Sequence, residues 1–198
     1  MPLDRKKQKG FYTREAIKRE YAELCCKLKT HHVPVKELCS SIPISRNTFY
    51  MYFADIASVA DEIEEELING FLTIYDEFSE TDFSSYQRGE VLPIFMDTLL
   101  FIKLNNMYFR AFAGKIPDYY FIESWKKIII GHFKERWKRQ NVHYENEDLV
   151  LETTAMSAIA AYSYWLENED KINLMEMCKF LGGMIFYEQL TLSNRIEK

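Results

Sequence analysis

Residues 45–53 read Ser-Arg-Asn-Thr-Phe-Tyr-Met-Tyr-Phe, a polar start followed by closely spaced aromatic side chains. Ser45 is a favourable helix N-cap, and the next three residues fall in the first turn of the helix that it would begin. Phe49 and Phe53 lie four residues apart and therefore share one helical face. The stretch predicts a short helix with an anchored apolar face and a polar face that can reach a partner.

A second short helix is predicted immediately upstream. Val35, Leu38 and Ile42 repeat at helical spacing, and Pro43 must end that helix before Ser45 starts the next. Two short helices joined by a tight turn, the second beginning with Arg, Asn and Thr, are typical of a helix-turn-helix that reads DNA. An ordinary capped surface helix is the alternative.

The N-terminal sequence resembles the DNA-binding domain of TetR-type transcriptional regulators over about residues 11–67. The resemblance is carried by Ile17–Leu28, Val35–Cys39, Ile44–Tyr50 and Tyr52–Phe53. Together with Phe53–Ile56, these residues are most similar to the branch that includes regulators of dihydroxyacetone kinase operons. The resemblance implies an all-α fold of about nine helices, in which an N-terminal three-helix helix-turn-helix domain precedes a C-terminal helical bundle domain.

Two residues depart from the pattern that these regulators commonly show. Pro43 stands in the turn where many of them have Gly, and Ile56 stands where most have a Lys that meets the DNA backbone. The pair Asp55-Ile56 is a feature of the narrower branch. Because an aliphatic side chain cannot neutralise a phosphate, we expect Lys36, Tyr50 and the basic N-terminus to carry more of the backbone contact.

Charge is distributed unevenly along the 198 residues, whose net charge is -5. Residues 1–50 hold 11 Lys and Arg against 5 Asp and Glu, whereas the remainder holds 14 against 25. This segregation suits a basic domain that approaches phosphate and an acidic body that stays away from it. The alternative is a basic N-terminal arm that merely aids solubility. We predict a DNA-binding domain with a basic arm at residues 1–56 and an effector-sensing and dimerisation domain at 57–198.

The residues expected to contact DNA lie in the two short helices. Side chains in the first turn of a recognition helix can contact base edges in the major groove. Hydroxyl and amine groups can donate hydrogen bonds to backbone phosphates. The candidates are Lys36, Ser45, Arg46, Asn47, Thr48, Tyr50 and Tyr52. For Lys36 a solvated surface role is the alternative, and for Tyr52 a packing role is nearly as well supported.

The remaining sequence predicts a helical body. Residues 1–10 are expected to form a mobile arm and Thr13 to cap the first helix, which ends near residues 30–34. The other predicted helices are Val35–Ser41, Arg46–Tyr52, a connector from Asp55 or Ser58 to about Phe78, Val91–Leu104, Met107–Gly114, Tyr119–Arg139, Glu147–Glu167 and Ile172–Leu192. Thr81–Gly89 is polar and rich in serine, which indicates a loop.

Aromatic side chains are concentrated in the predicted body. The resemblance implies that some of them line an effector pocket, although an aromatic stripe at helical spacing is more often plain core. The pocket candidates are Phe101, Tyr108, Phe109, Phe112, Phe121, Trp125, Tyr162 and Trp165. The resemblance also implies a homodimer formed by the last two helices, with Ala158, Leu166, Phe180 and Ile185 as interface candidates.

Several classes of function find no support in the sequence. His31 and His32 are adjacent and would point about 100° apart on a helix, so they could not share a metal ion. The sequence has no glycine-rich phosphate loop, nucleophile elbow or apolar span of 18 residues. The run Glu64-Glu65-Glu66 is interpreted as a solvated helix face. We therefore predict no enzyme, no cofactor and a cytoplasmic location.

The expected function is a homodimeric TetR-type regulator, a repressor, that binds a palindromic operator in double-stranded DNA. Its C-terminal domain would respond to a small apolar or aromatic effector. The alternative is a helical interaction protein, or an activator of the same fold, that answers to a protein partner instead. A helical enzyme ranks third.

Overall fold

A computed structural model describes residues 5–81 and 90–187. Within these ranges the chain forms nine α-helices, one π-helical segment and no β-strand. The helices are α1 (Arg5–Leu28), α2 (Val35–Ser41), α3 (Arg46–Tyr50), α4 (Ile56–Glu77), α5 (Pro93–Leu104), α6 (Asn106–Ala113), α7 (Tyr119–Gln140), α8 (Glu147–Glu167) and α9 (Leu174–Leu181), and the π-helical segment is Gly182–Tyr187. Among the described helices, none combines the length and apolarity that crossing a lipid bilayer requires.

The helices pack into two compact units. Unit 1 comprises Met1–Leu67 and Met107–Asp118, and unit 2 comprises Ile68–Asn106 and Tyr119–Lys198. Helix α4 therefore contributes its first part to unit 1 and its last part to unit 2. The functional boundary at residue 56 stays a prediction.

Unit 1 is built around one apolar cluster from its first helices. Ile17, Leu24, Leu38 and Phe49 are buried as the periodicity predicts, and Ile44 is half-buried at the edge of the cluster. Helix α1 packs on α2 and α2 on α3. A three-helix bundle results, and its burial supplies the stability that helices of five and seven residues lack on their own.

Helix α4 begins where the sequence predicts, because Asp55 caps it. The backbone N–H of Ser58 donates to Asp55 Oδ1 at 2.8 Å, and the Asp55 N–H donates to Ser58 Oγ at 3.2 Å. This reciprocal pair satisfies donors that a helix start would otherwise leave open. It fixes Ile56 as the first residue of α4.

The predicted start of α1 is wrong. The helix begins at Arg5, and the Thr13 hydroxyl donates to the Lys9 carbonyl at 3.0 Å, so Thr13 lies inside the helix and does not cap it. Lys, Arg and Gln are good helix formers, and a single Gly10 costs only about 1 kcal/mol, which the following turns outweigh. The predicted arm is therefore helical from residue 5, and residues 1–4 lie outside the described part.

Other helix ends also differ from the prediction. Helix α5 starts at Pro93 instead of Val91, α6 spans Asn106–Ala113 instead of Met107–Gly114, and α7 ends at Gln140 instead of Arg139. Helix α3 ends at Tyr50 instead of Tyr52. Helix α9 starts at Leu174, because Asn173 and Glu176 form a capping box, and it passes into π-helix at Gly182. Residues 82–89 of the predicted loop and 188–192 of the predicted last helix lie outside the described residues. Helices α2 and α8 have the predicted bounds.

Unit 2 has a core of stacked aromatic rings. Phe71 stacks on Trp125 with ring centroids 4.6 Å apart, and Trp125 stacks on Tyr162 at 5.6 Å. Gly70 makes room for Phe101, since a Cβ at residue 70 would lie 2.1 Å from that ring. Offset stacking adds about 0.5–1.5 kcal/mol per pair beyond burial. Rings drawn from α4, α5, α7 and α8 thus hold this unit together.

Candidate nucleic-acid interface

The start of α3 is built by an internal cap. Ser45 Oγ accepts from the Thr48 backbone N–H at 3.0 Å and lies 2.9 Å from Thr48 Oγ1. Phe49 is completely buried and anchors the opposite face of the helix. Both hydroxyls are engaged in the cap, whereas Arg46 and Asn47 between them are exposed. The two long polar side chains of the first turn are therefore the ones available to a partner.

The turn before α3 accommodates Pro43 without a hydrogen-bond loss. Helix α2 ends at Ser41, and the Ile44 N–H donates to the Ile42 carbonyl at 2.7 Å across the proline. Such a three-residue turn suits the fixed φ of proline at its centre. Pro43 thus holds the connection short, in the place where the resemblance implies a turn with Gly.

The candidates for phosphate contact differ in exposure. Lys36 lies exposed in the first turn of α2, and Tyr50 is 55% exposed at the end of α3. Tyr52 is half-buried, and a Cβ at Gly10 would lie 3.7 Å from its hydroxyl, which places the ring against α1. Lys36 and Tyr50 are free to reach a backbone, whereas the surroundings of Tyr52 favour its packing role.

A buried ionic cluster joins α1 to α4 within unit 1. Lys18 is 1% exposed, and its Nζ lies 2.6 Å from Glu15, 2.7 Å from Glu66 and 3.5 Å from Glu62. Burial works against its charge, but the hydrogen bonds to Glu15 and Glu66 outweigh burial and raise the pKa of Lys18. The sequence interpretation missed this cluster, which contradicts a purely solvated role for Glu66.

Arg14 extends the same cluster toward the end of α3. Its Nε donates to Glu62 Oε1 at 2.7 Å, and its Nη1 donates to the Tyr52 carbonyl at 2.9 Å. The guanidinium also lies 4.4 Å from the centre of the Phe53 ring. The hydrogen bond from Arg14 lowers the pKa of Glu62. One side chain of α1 therefore ties the residues after α3 to α4.

A second polar group lies around Asp118. His31 Nε2 is 2.9 Å from the Ala111 carbonyl, which can only accept, so Nε2 carries the proton and Nδ1 faces Asp118 Oδ2 at 3.8 Å. Burial, with Asp118 and Asp61 nearby, raises the pKa of Glu64 to about 7. In the described part of the chain, no three His, Cys, Asp or Glu side chains are placed to hold a metal ion.

The predicted effector-pocket residues are divided between the two units. Tyr108, Phe109 and Phe112 belong to unit 1, and the other five belong to unit 2. Of these five, Tyr162 lines a narrow cavity. Its further lining is Tyr75, Ile94, Phe95, Ile129, His132, Phe133, Arg136 and Ala158. Phe101, Phe121 and Trp125 belong to the aromatic packing, and the Trp165 indole N–H donates to the Ile172 carbonyl at 2.9 Å.

The predicted interface residues on α8 and α9 differ from one another in how far their side chains are exposed. Ala158 and Leu166 are buried within unit 2, so they present no side chain to a partner. Phe180 is 54% exposed and lines an apolar groove, and the side chain of Ile185 lies outside the described residues. The groove also includes the apolar or aromatic residues Ala160, Ala161, Tyr164, Ile172, Met177 and Met184, and the polar residues Ser157, Lys171 and Glu176. Ala158 and Leu166 thus lie on the inner face of α8, and a dimer interface on α8 and α9 stays a prediction.

Comparison with known proteins identifies the fold. No protein-family model matches the chain, and no curated protein sequence does. A solved structure described as a gamma-butyrolactone receptor, ArpA-like protein, is similar over 96% of this chain and 98% of its own, with a TM-score of 0.55 and 15% identity. Likeness at this identity shows the fold alone. The predicted fold class, all-α with a TetR-like arrangement of helices, is confirmed.

Proposed function

We propose that this chain is a TetR-type DNA-binding transcriptional regulator that acts in the cytoplasm as a repressor. The observation that carries the proposal is the start of α3, where the cap consumes the hydroxyls of Ser45 and Thr48 and leaves Arg46 and Asn47 exposed. Arg and Asn are the side chains that bind guanine and adenine bidentately in the major groove. The proposal includes membership of the branch that contains regulators of dihydroxyacetone kinase operons.

A dimer would bring two copies of α3 to the half-sites of a palindromic operator. The exposed apolar groove of α8 and α9 supports a homodimer, because side chains such as Phe180 and Tyr164 are costly to leave in water. Helix α4 contributes to both units. A small molecule bound in unit 2 could therefore alter the tilt of α4 and the separation of the two recognition helices.

The test begins by selecting binding sites from random double-stranded DNA. Arg46→Ala and Asn47→Ala should each weaken binding to the selected operator by about 1–3 kcal/mol and relax the preference at one base position. Arg19→Ala is the control, since Arg19 is an exposed arginine of the same unit that pairs with Glu23. Failure to select any sequence, or equal affinity for all three variants, would reject the proposal.

A helical interaction protein of the same fold is the second candidate. The cavity that Tyr162 lines in the described part of unit 2 measures only about 20 Å³, whereas pockets for drug-sized ligands usually measure ~300–1,000 Å³. Control by a protein partner would need no larger cavity. Capture of a partner in the absence of DNA, by a chain that selects no DNA sequence, would favour this candidate.

A further inference from the structure

Helix α3 is too short to fix its own position. It spans Arg46–Tyr50, and a helix of five residues keeps its place only through the contacts that surround it. Ser45 caps its start, Phe49 anchors it in the core of unit 1, and the residues after Tyr50 lead on to α4. The attachment of this last segment therefore helps to decide where the first turn of α3 lies.

One guanidinium holds the segment between α3 and α4. Arg14 Nη1 donates to the Tyr52 carbonyl at 2.9 Å, and the guanidinium lies 4.4 Å from the centre of the Phe53 ring. The same group pairs with α4, since Nε donates to Glu62 Oε1 at 2.7 Å and Nη2 donates to Glu62 Oε2. A side chain of α1 thus contacts both the segment that follows α3 and helix α4.

This arrangement requires an arginine. The paired hydrogen bonds to Glu62 fix the plane of the guanidinium, and the fixed plane aims Nη1 at the Tyr52 carbonyl. A lysine would carry the same charge, but its ammonium has no such plane and no fork of donors. Isolated surface ion pairs contribute little to stability, whereas a bidentate pair between arginine and a carboxylate is an exception. Arg14 and lysine at this position should therefore differ in geometry and not in charge.

Loss of Arg14 should act locally. Lys18 lies one turn further along α1, and its buried ammonium is 2.7 Å from Glu66 on α4. This ion pair does not involve the segment after α3. Replacing Arg14 should therefore free that segment, while α1 and α4 stay paired through Lys18.

We propose that Arg14 is a positioning residue for reading the base sequence of DNA. By holding the segment after α3 against α1 and α4, it fixes the helix start at which Arg46 and Asn47 are exposed. The assignment rests on the proposed function, because the bases that these two side chains would read belong to it. The Arg14 side chain is 39% exposed, so direct contact with a phosphate is the competing role that the experiment must separate.

The test measures the affinity of Arg14→Lys and of the unaltered chain for the selected operator and for a duplex of unrelated sequence. Urea unfolding first sets a temperature at which both chains are folded. We expect the ratio of the operator affinity to the unrelated affinity to fall by about tenfold or more, roughly the discrimination that one bidentate base contact provides. Arg19→Lys, which changes an exposed arginine of the same helix that pairs with Glu23, should keep the ratio.

Arg14→Gln separates the two roles of the side chain. If Arg14 contacts a phosphate, removal of its charge should flatten the slope of log affinity against log salt on unrelated DNA by about two units per dimer, at ≈0.9 per contact. If Arg14 only positions α3, this slope is unchanged and the affinity ratio still falls. A flattened slope, or an unchanged ratio in both variants, would overturn the proposal. A loss of folded protein cannot imitate the expected result, because it would scale both affinities by the same factor.

A measurement without DNA keeps the proposal separable from the proposed function. The Tyr52 and Phe53 amides donate to the Phe49 carbonyl, and their hydrogen exchange should be about tenfold faster or more in Arg14→Lys. Exchange of the Leu24 amide, in the buried part of α1, should be unchanged. Equal exchange of all three amides in both chains would overturn the attachment even if the chain reads DNA. If the unaltered chain selects no DNA sequence, the proposed function is rejected and the positioning role with it.

Discussion

Both units have an apolar core, but they differ in the other side chains that they bury and in the surfaces that they expose. In unit 1, Lys18 is buried among carboxylates, and the exposed start of α3 is polar. In unit 2, the interior is a stack of aromatic rings, and the exposed groove of α8 and α9 is apolar. The two surfaces therefore fit different proposed partners. A polar helix start can hydrogen-bond to DNA. An apolar groove is favourably buried against another protein surface, because removing water from apolar side chains lowers the free energy.

The largest expected effect tests the apolar side of this comparison. Phe180→Asp should convert a dimer to a monomer at micromolar concentration, because a charge at a buried aromatic position costs about 3 kcal/mol or more, or over 100-fold in affinity. Since Phe180 is half-exposed in the single chain, the variant should still fold. Mass in solution and circular dichroism together check both statements.

The control for this change is Leu104→Asp. Leu104 is 83% exposed at the end of α5, outside the groove, so its replacement should leave the dimer intact. A monomeric unaltered chain, or a dimeric Phe180→Asp variant, would contradict the interface. Ala158→Asp is a poor test, because Ala158 is buried and the variant would unfold.

The next effect tests the buried charge of unit 1. Lys18→Ala should lower the free energy of unfolding by about 2–3 kcal/mol, since it removes packed methylene groups and leaves carboxylates facing one another. Arg19→Ala, which breaks an exposed pair with Glu23, should cost about 0.5 kcal/mol or less. Urea unfolding at one protein concentration compares them, and equal losses would show that the cluster contributes no more than a surface pair.

Sequence periodicity was sufficient wherever one apolar stripe and one cap define a helix. The bounds of α2 could be predicted from Pro34, Leu38 and Pro43. The start of α4 could be predicted from Asp55 and the apolar repeat that follows it. The start of α1 was predicted wrongly because Thr is a residue type that often caps helices. The residues before Thr13 favour a helix as well, and the helix therefore begins earlier. The start of α9 had a readable signal, the spacing of Asn173 and Glu176, which matches a capping box.

The ionic cluster could not be derived in full, because periodicity gives the face of one helix and not the neighbour against which it packs. A hint was present. Arg14 and Lys18 repeat at four residues on α1, and Glu62 and Glu66 repeat at four residues on α4. Two matching ladders of opposite charge predict pairing only once the helices are known to be adjacent.

The third prediction uses the carboxylate of Glu64, whose pKa is raised to about 7 by burial, with Asp118 and Asp61 nearby. The folded state therefore holds this proton more tightly than the unfolded state. The resulting stability is complete below about pH 4.5 and is lost as the pH rises through 7. Because Glu64 is only half-buried, the loss should be about 1 kcal/mol. Unfolding at pH 5 and pH 8 should show Glu64→Gln gaining this amount over the unaltered chain at pH 8.

The matched control is Glu65→Gln, which changes an exposed neighbour on the same helix. Asp118 and Asp61 are the same in all three chains, so the comparison between variants is more informative than either profile alone. Parallel stability profiles for Glu64→Gln and the unaltered chain would show that Glu64 ionises normally.

The smallest effect concerns Ile56, the first residue of α4, where the TetR-type regulators that the sequence resembles commonly have a Lys. Ile56 is half-buried, and the Asp55 cap fixes its place at the helix start, where backbone N–H groups favour an anion. If this end of α4 lies near a phosphate, Ile56→Lys adds two contacts per dimer. The slope of log affinity against log salt should then steepen by about two units, at ≈0.9 per contact, equally on operator and unrelated DNA. If the side chain packs instead, the Lys should lower the melting temperature and leave the slope unchanged. The salt slope and the melting curve of the same variant separate these outcomes. An unchanged slope with lost stability would show that Ile56 packs against its neighbours in unit 1 and does not lie near a phosphate.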